Sequence, residues 1–196
     1  MTQINLDVSK RYTFADYLTW MDDKRRELID GVVNLLSPAP STTHQQILFR
    51  LSLNLGNELS GSRCKIFFAP FDVRFPEDQK DKSDKEIITV VQPDISIICD
   101  DKKLDEKGCL GAPDFIAEET SPASLKRDIE EKFRIYEKHG VREYWILFPE
   151  TKSVNVFVLD KKGKYQLKGM YASDSKIKVN IFDDLEIDLK EILNPN

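Results

Sequence analysis

The chain is short of cysteine, of long apolar runs and of net basic charge, and each shortage removes a class of protein. Three cysteines, Cys64, Cys99 and Cys109, stand far apart with no CxxC pair. An odd count at such spacing argues against a disulfide framework and a structural zinc site, so free thiols, buried or half-buried, are expected. No stretch approaches the roughly 20 apolar residues that cross a bilayer, so no membrane partner is expected. The opening MTQINLDVSKRYTF lacks the apolar core of a secretion signal. A cytoplasmic location is the expectation. The net charge of −5 counts against a protein that coats nucleic acid by electrostatics alone. It does not exclude a nuclease, because a bound divalent ion adds local positive charge. Internal repeats and RNA-binding signatures such as a KH loop are also missing.

What is present fits one globular unit. The 196 residues, 40% hydrophobic and 32% charged, suit a single domain over 1–196. TFADYLTWMD at 13–22 reads as a short helix with Thr13 as N-cap. RRELIDGVVNLLSP then has two apolar runs meeting at Asp30-Gly31, a hairpin signal, ended by SPAP at 37–40. Residues 42–60 carry Ile47, Leu48, Leu51, Leu55 and Leu59 at helical spacing. A strand is expected at 64–75, a charged exposed loop at 76–90, a strand at 91–100 with Pro93 near its start, a second charged loop at 101–112, and a strand at 113–120. A helix follows at about 124–139, stopped by Gly140. Two strands, a Lys162-Gly163 turn into a further strand, and a short strand with a last helical turn complete the chain. This order is α/β with a mixed sheet, not a repeating βαβ series.

Two acidic residues sit inside apolar strands, Asp94 in VQPDISII and Glu118 in DFIAEET. Charges are rarely buried unless paired or bound to metal, and neighbouring carboxylates repel unless a cation lies between them. Oxygen donors of this kind suit Mg²⁺ or Mn²⁺. The plain alternative puts Asp94 in solvent and pairs Glu118 with a basic side chain. On an ideal wheel of about 100° per residue, Leu125, Ile129, Phe133 and Tyr136 form one apolar stripe of the 124–139 helix. Lys132 lies at its edge, within roughly 60° of the centre, beside Asp128 and His139. A lysine turned inward needs a partner; otherwise it snorkels outward along its stem. Together the three side chains offer metal binding, water activation and charge stabilisation, the services phosphodiester hydrolysis needs.

These stretches resemble the Uma-type family of restriction-endonuclease-like proteins in the PD-(D/E)xK superfamily. The matching segments are ELIDG at 27–31, LLSPAPSTTH at 35–44, QPDISII at 92–98, GAPDFIAEETSPAS at 111–124, DIEEKFRIYEKHGVREYWILFPE at 128–150 and IFDDLEIDL at 181–189. The resemblance implies a restriction-endonuclease-like mixed sheet, four-stranded at its centre and flanked by helices, with an added N-terminal helix-hairpin and C-terminal strands. It assigns Asp94 and Glu118 to the metal. The position two after Glu118 is Thr120 rather than lysine. The lysine is implied instead on the next helix, in a D-x-x-x-K-x-x-x-Y pattern formed by Asp128, Lys132 and Tyr136. Asp128 and Tyr136 are thereby possible substrate or water contacts. Glu27 is implied as a further catalytic carboxylate, with pairing to Arg25 or Arg26 as the alternative. His44 either orients water or contacts substrate, or packs at a helix start. Glu119 stands where the family usually carries an apolar residue and should face away from Glu118; His139 is expected as a favourable charge at a helix C-terminus.

The expected function is therefore a Mg²⁺- or Mn²⁺-dependent endonuclease acting on DNA, with a homodimer suited to cutting both strands. A non-catalytic interaction or nucleic-acid-binding module with a vestigial site is the alternative, and RNA or branched DNA are further substrate options.

Overall fold

The computed structural model describes residues 4, 6–7, 9–36, 41–78, 82–122 and 124–194. The expected SPAP break at 37–40 and the middle of the charged stretch, 79–81, lie outside these residues. Helix α1 (Phe14–Tyr17) is capped by Thr13, whose side chain and Asp16 form a reciprocal capping box. Strands β1 (Arg26–Ile29) and β2 (Val32–Leu35) form the expected hairpin. Asp30 and Gly31 turn it with φ of 49° and 78°, the left-handed pair that matches strand twist.

Helix α2 (Thr42–Glu58) buries Ile47, Leu51 and Leu55. Strands β3 (Lys65–Phe68) and β4 (Val73–Phe75) replace the single strand expected at 64–75. The chain breaks at Ala69-Pro70, where proline has no N–H to continue a ladder, and the halves enter different sheets. The same happens at 91–100. Strand β5 (Thr89–Val91) ends in one sheet, Gln92-Pro93-Asp94 crosses over, and β6 (Ile95–Ile98) begins in the other. Within the stretch expected to be exposed, Ile87 is fully buried and its carbonyl accepts from Phe14 N–H at 2.7 Å. The second charged loop holds a small hairpin, β7 (Leu104–Asp105) and β8 (Gly108–Leu110). An added Cβ on Gly108 would lie 2.2 Å from the Asp72 carbonyl oxygen, so this close approach requires glycine.

Strand β9 (Phe115–Glu119), helix α3 (Phe133–His139), β10 (Glu143–Phe148), β11 (Ser153–Leu159) and β12 (Tyr165–Ala172) follow. A small pair, β13 (Lys176–Lys178) and β14 (Glu186–Asp188), leads into α4 (Leu189–Leu193). One mixed sheet runs β2-β1-β5-β4-β8-β7 and the other β12-β11-β10-β9-β6-β3. In the second, β9 and β10 are parallel while the remaining neighbours are antiparallel. The four-stranded centre implied by resemblance is thus extended to six.

The period-two alternation of this second sheet gives it two buried faces. Ile95, Ile97, Phe115, Ala117, Trp145 and Leu147 pack with α2 and α4. Ile98, Ile116, Tyr144 and Ile146 pack with β4, Ile135 and Tyr136. A fully buried aliphatic side chain contributes roughly 1.5–3 kcal/mol, which is what holds α2 on the sheet.

Further expectations change. Cys64 and Cys99 form a disulfide, leaving Cys109 free and buried. The antiparallel register that pairs Lys65 with Ile98 carries the two cysteines side by side at the next step. The 124–139 helix is not a uniform α-helix: residues Arg127–Lys132 form a π-helical turn ahead of α3. The wider turn shifts the phase, so Leu125 and Ile129 are exposed while Asp128 and Lys132 are buried. His139 stands in the last turn of α3, as expected, with Nε2 3.9 Å from Glu77 Oε1, but it is half-enclosed. Its ring packs 4.8 Å from that of Phe75, and burial favours its neutral form, pushing its pKa down.

Candidate functional site

The end of β9 is where the two sheet faces reach a common opening. Extending the register that pairs Ile95 with Ala117 sets Asp94 opposite Glu118. Alternation then sends Glu118 toward the π-helical turn and Glu119 toward the start of α2. Both, with Asp94, Asp128, Lys132 and His44, line one cleft of about 630 Å³. Ser41 caps α2 by accepting from His44 N–H at 3.2 Å, which fixes where the His44 ring begins.

On the first side, Lys132 Nζ lies 2.9 Å from Glu118 Oε1, 3.0 Å from Glu27 Oε1 and 3.8 Å from Asp128 Oδ1. Tyr136 hydroxyl donates to Glu118 Oε1 at 2.6 Å. Glu27 is fully buried and does not pair with Arg25 or Arg26; its Oε1 also accepts from Gln92 backbone N–H at 2.8 Å. Burial pushes the Glu118 carboxyl up, partly countered by Lys132. Burial likewise raises Asp128. Burial works against the charged form of Lys132, but Glu118, Glu27 and Asp128 outweigh it and hold the ammonium protonated.

On the second side, Glu119 backbone N–H donates to Asp94 Oδ2 at 2.8 Å. The His44 ring bridges two carboxylates, with Nε2 3.7 Å from Asp94 Oδ1 and Nδ1 3.4 Å from Glu119 Oε1. Burial disfavours the charged ring, yet the facing Asp94 and Glu119 leave its pKa raised. Glu119 is pushed up to about 8, first by burial. Its Oε2 is buried without a hydrogen-bond partner among the described residues.

All of Asp94, Glu118, Lys132, Glu27, Asp128 and Tyr136 therefore meet at one place, and His44 joins them through Asp94. Glu119 is a cleft residue that strand alternation placed on the opposite face without showing that α2 brings His44 to meet it. Arg25, expected only as a partner for Glu27, lines the cleft together with Gln92 and Arg127, for which the sequence suggests no role; only the fold brings their segments together.

Asp94 and Glu118 offer hard oxygen donors on adjacent strands. Among the described residues no three His, Cys, Asp or Glu side chains are grouped to hold an ion alone. That donor set fits Mg²⁺, which keeps several waters and is commonly held by one or two carboxylates plus substrate phosphate.

A mixed sheet flanked by helices, with carboxylates and a buried lysine gathered at one open end, defines a nuclease-like α/β protein. The chain belongs to the Uma2 family, described as "Putative restriction endonuclease", whose profile matches residues 14–190. An uncharacterised Synechocystis protein is 24% identical over 162 residues, 81% of this chain and 80% of that one. The crystal structure of a "putative nuclease belonging to DUF820" from Anabaena variabilis is similar in fold, with a TM-score of 0.71 at 18% identity, covering 93% of this chain and 97% of that one. No helix among the described residues is long and apolar enough to cross a membrane.

Proposed function

We propose that the chain is a Mg²⁺- or Mn²⁺-dependent endonuclease hydrolysing DNA phosphodiester bonds, acting as one nuclease domain over 1–196. The observation that carries this reading is the Lys132 ammonium held between Glu118 and Glu27 at the floor of an open cleft that Asp94 also faces. A lone buried lysine among carboxylates is a poor stabilising device, but it is well placed to meet developing negative charge on a phosphate.

In this reading Asp94 and Glu118 hold the divalent ion. The ion supplies Lewis acidity and lowers the pKa of a bound water. Lys132 donates to a phosphate oxygen and keeps its proton because three carboxylates surround it. Glu27 and Tyr136 fix the lysine and Glu118 in place. Asp128, at the π-helical turn, holds the other side of the ammonium. His44, between Asp94 and Glu119, orients the attacking water. A homodimer that presents two sites to a duplex belongs to the same proposal, as does the cytoplasm as location, against which the Cys64–Cys99 bond weighs because disulfides are rare there.

The test is incubation of purified protein with supercoiled plasmid, linear duplex and single-stranded DNA, each with Mg²⁺, Mn²⁺ or EDTA. Metal-dependent cleavage lost in Asp94→Ala, Glu118→Ala and Lys132→Ala is expected. Cleavage that survives all three variants would assign the activity elsewhere. A non-catalytic binding module is the second reading, favoured by the excess of carboxylates over cations at the cleft; binding of DNA without cleavage under every metal condition would select it.

A further inference from the structure

The cleft holds two half-buried arginines that the catalytic reading leaves without a role. Arg25 and Arg127 both line it beside Asp94 and Glu118. The two arginines that are almost wholly buried, Arg26 and Arg74, are consumed internally. Arg26 forks onto Asp22 at 2.5 and 2.6 Å, and Arg74 meets Asp105 at 2.5 Å. Arg25 makes no ion pair among the described residues. Its Nε donates to Gln92 Oε1 at 3.0 Å. Gln92 is itself fixed, because its amide nitrogen donates to Asp72 Oδ1 at 2.9 Å and Tyr17 hydroxyl at 3.2 Å, so its oxygen must face the arginine. Arg127 makes only a long ion pair, Nε lying 3.9 Å from Glu27 Oε2, and neither atom has a hydrogen-bond partner among the described residues.

Charge decides what these groups can serve. Asp94, Glu118, Glu119 and Asp128 line the cleft, and the single charge of Lys132 is outnumbered by the carboxylates around it. A polyanionic strand would be repelled there without further cations. Guanidinium forks match phosphate oxygens two at a time, which an ammonium cannot do. Arg25 and Arg127 are anchored at Gln92 and beside Glu27 respectively, residues joined by the Gln92 N–H to Glu27 bond.

Resting on the nuclease reading, we propose that Arg25 and Arg127 form a clamp for a backbone phosphate of the DNA strand, neighbouring the phosphate that Lys132 meets. They are positioning residues that set where the strand lies.

The experiment is equilibrium binding of a short labelled duplex, with Ca²⁺ in place of Mg²⁺, across a salt series. The proteins are wild type, R25A, R127A, the double alanine variant, and R25K and R127K. Each alanine change is expected to weaken binding roughly tenfold and to make the salt slope shallower by about one. Each lysine variant should keep the slope and lose part of the affinity. In a scan of duplexes with single neutral methylphosphonate linkages, one position should weaken the wild type and leave the double variant unaffected. Unfolding midpoints are recorded alongside, and the lysine variants decide the matter where an alanine variant fails to fold. Equal affinity and slope in wild type and double variant would overturn the clamp. Mg²⁺-dependent cleavage by that same wild type, lost in Glu118→Ala, would show that the nuclease reading survives it. A wild type that neither binds nor cleaves DNA would overturn both.

Discussion

Lys132 Nζ sits 2.9 Å from Glu118 Oε1 and 3.0 Å from Glu27 Oε1, so one buried ammonium ties β9 of one sheet to β1 of the other. The Lys132 side chain is 5% exposed and both carboxylates less, so little solvent screens the cluster. Removing the cation strands two buried carboxylates. Lys132→Ala is expected to cost about 3–5 kcal/mol of stability, read from urea unfolding in EDTA. Adding Glu27→Gln should recover part of that loss. If the two losses simply add, the residues do not act as a pair.

Without metal, stability should decline as pH rises. The folded Glu119 carboxyl is raised from its usual 4.5 to about 8. Between those values the folded chain keeps a proton that the unfolded chain has released, so this contribution is present at low pH and lost on the way up, by at most ~1.4 kcal/mol per unit. His44 acts in the same direction. Its raised pKa stabilises the fold below the usual 6.5 and stops doing so above its folded value. Urea titrations in EDTA from acidic to mildly alkaline pH should show the decline, and Glu119→Gln should make it shallower, the rest coming from Glu118, Asp128 and His44, which are also raised. An unchanged slope in that variant would refute the assignment.

Much of this arrangement could be read from residue order, though not always for the right reason. Asp94 and Glu118 stood out as charges in apolar strands, and the register does set them side by side. The ideal helical wheel that turns Lys132 inward puts Leu125 and Ile129 in the same stripe, and both are exposed. The π-helical turn that actually turns Asp128 and Lys132 inward leaves no periodicity signal, because six residues are too few to establish a phase. The Asp30-Gly31 hairpin and the stripe on α2 were legible because their geometry is local. The sheet changes at Pro70 and at Gln92-Asp94 were not, since strand runs look alike whichever sheet they join. Glu119 could be assigned to the face opposite Glu118, but its meeting with His44 depends on where α2 docks.

The Cys64–Cys99 bond is hidden in the sequence for the same reason: pairing depends on β3–β6 register, which spacing along the chain does not reveal. It closes a loop with a sequence separation of 35, so its loss should cost about 2–4 kcal/mol. Urea unfolding of Cys99→Ser, compared with wild type before and after dithiothreitol, measures this. Reduced wild type should match the variant. A wild type insensitive to reductant, with no free-thiol change on treatment, would count against the bond. Cleavage should be little affected, because the bond lies at the far end of β6 from Asp94.

Metal binding separates the roles of the carboxylates and the lysine more sharply than activity does, because every site variant is expected to lose cleavage. A ligand at a hundred times its Kd stabilises the fold by about 2.7 kcal/mol. Mn²⁺ should therefore raise the unfolding midpoint of wild type, and more at pH 8 than at pH 5.5, since the ion competes with protons for Glu118 and its neighbours. Asp94→Asn should abolish the shift. Lys132→Ala should do the opposite: deleting the ammonium leaves Glu118 unpaired and the cluster more negative, so Mn²⁺ should stabilise this variant more than wild type while cleavage stays absent. Calorimetric titration of the same proteins gives the affinities directly. If Lys132→Ala lost Mn²⁺ binding together with activity, the lysine would be holding the carboxylates in shape for the ion and not serving the phosphate. If Asp94→Asn kept the full shift, the ion would lie elsewhere in the cleft.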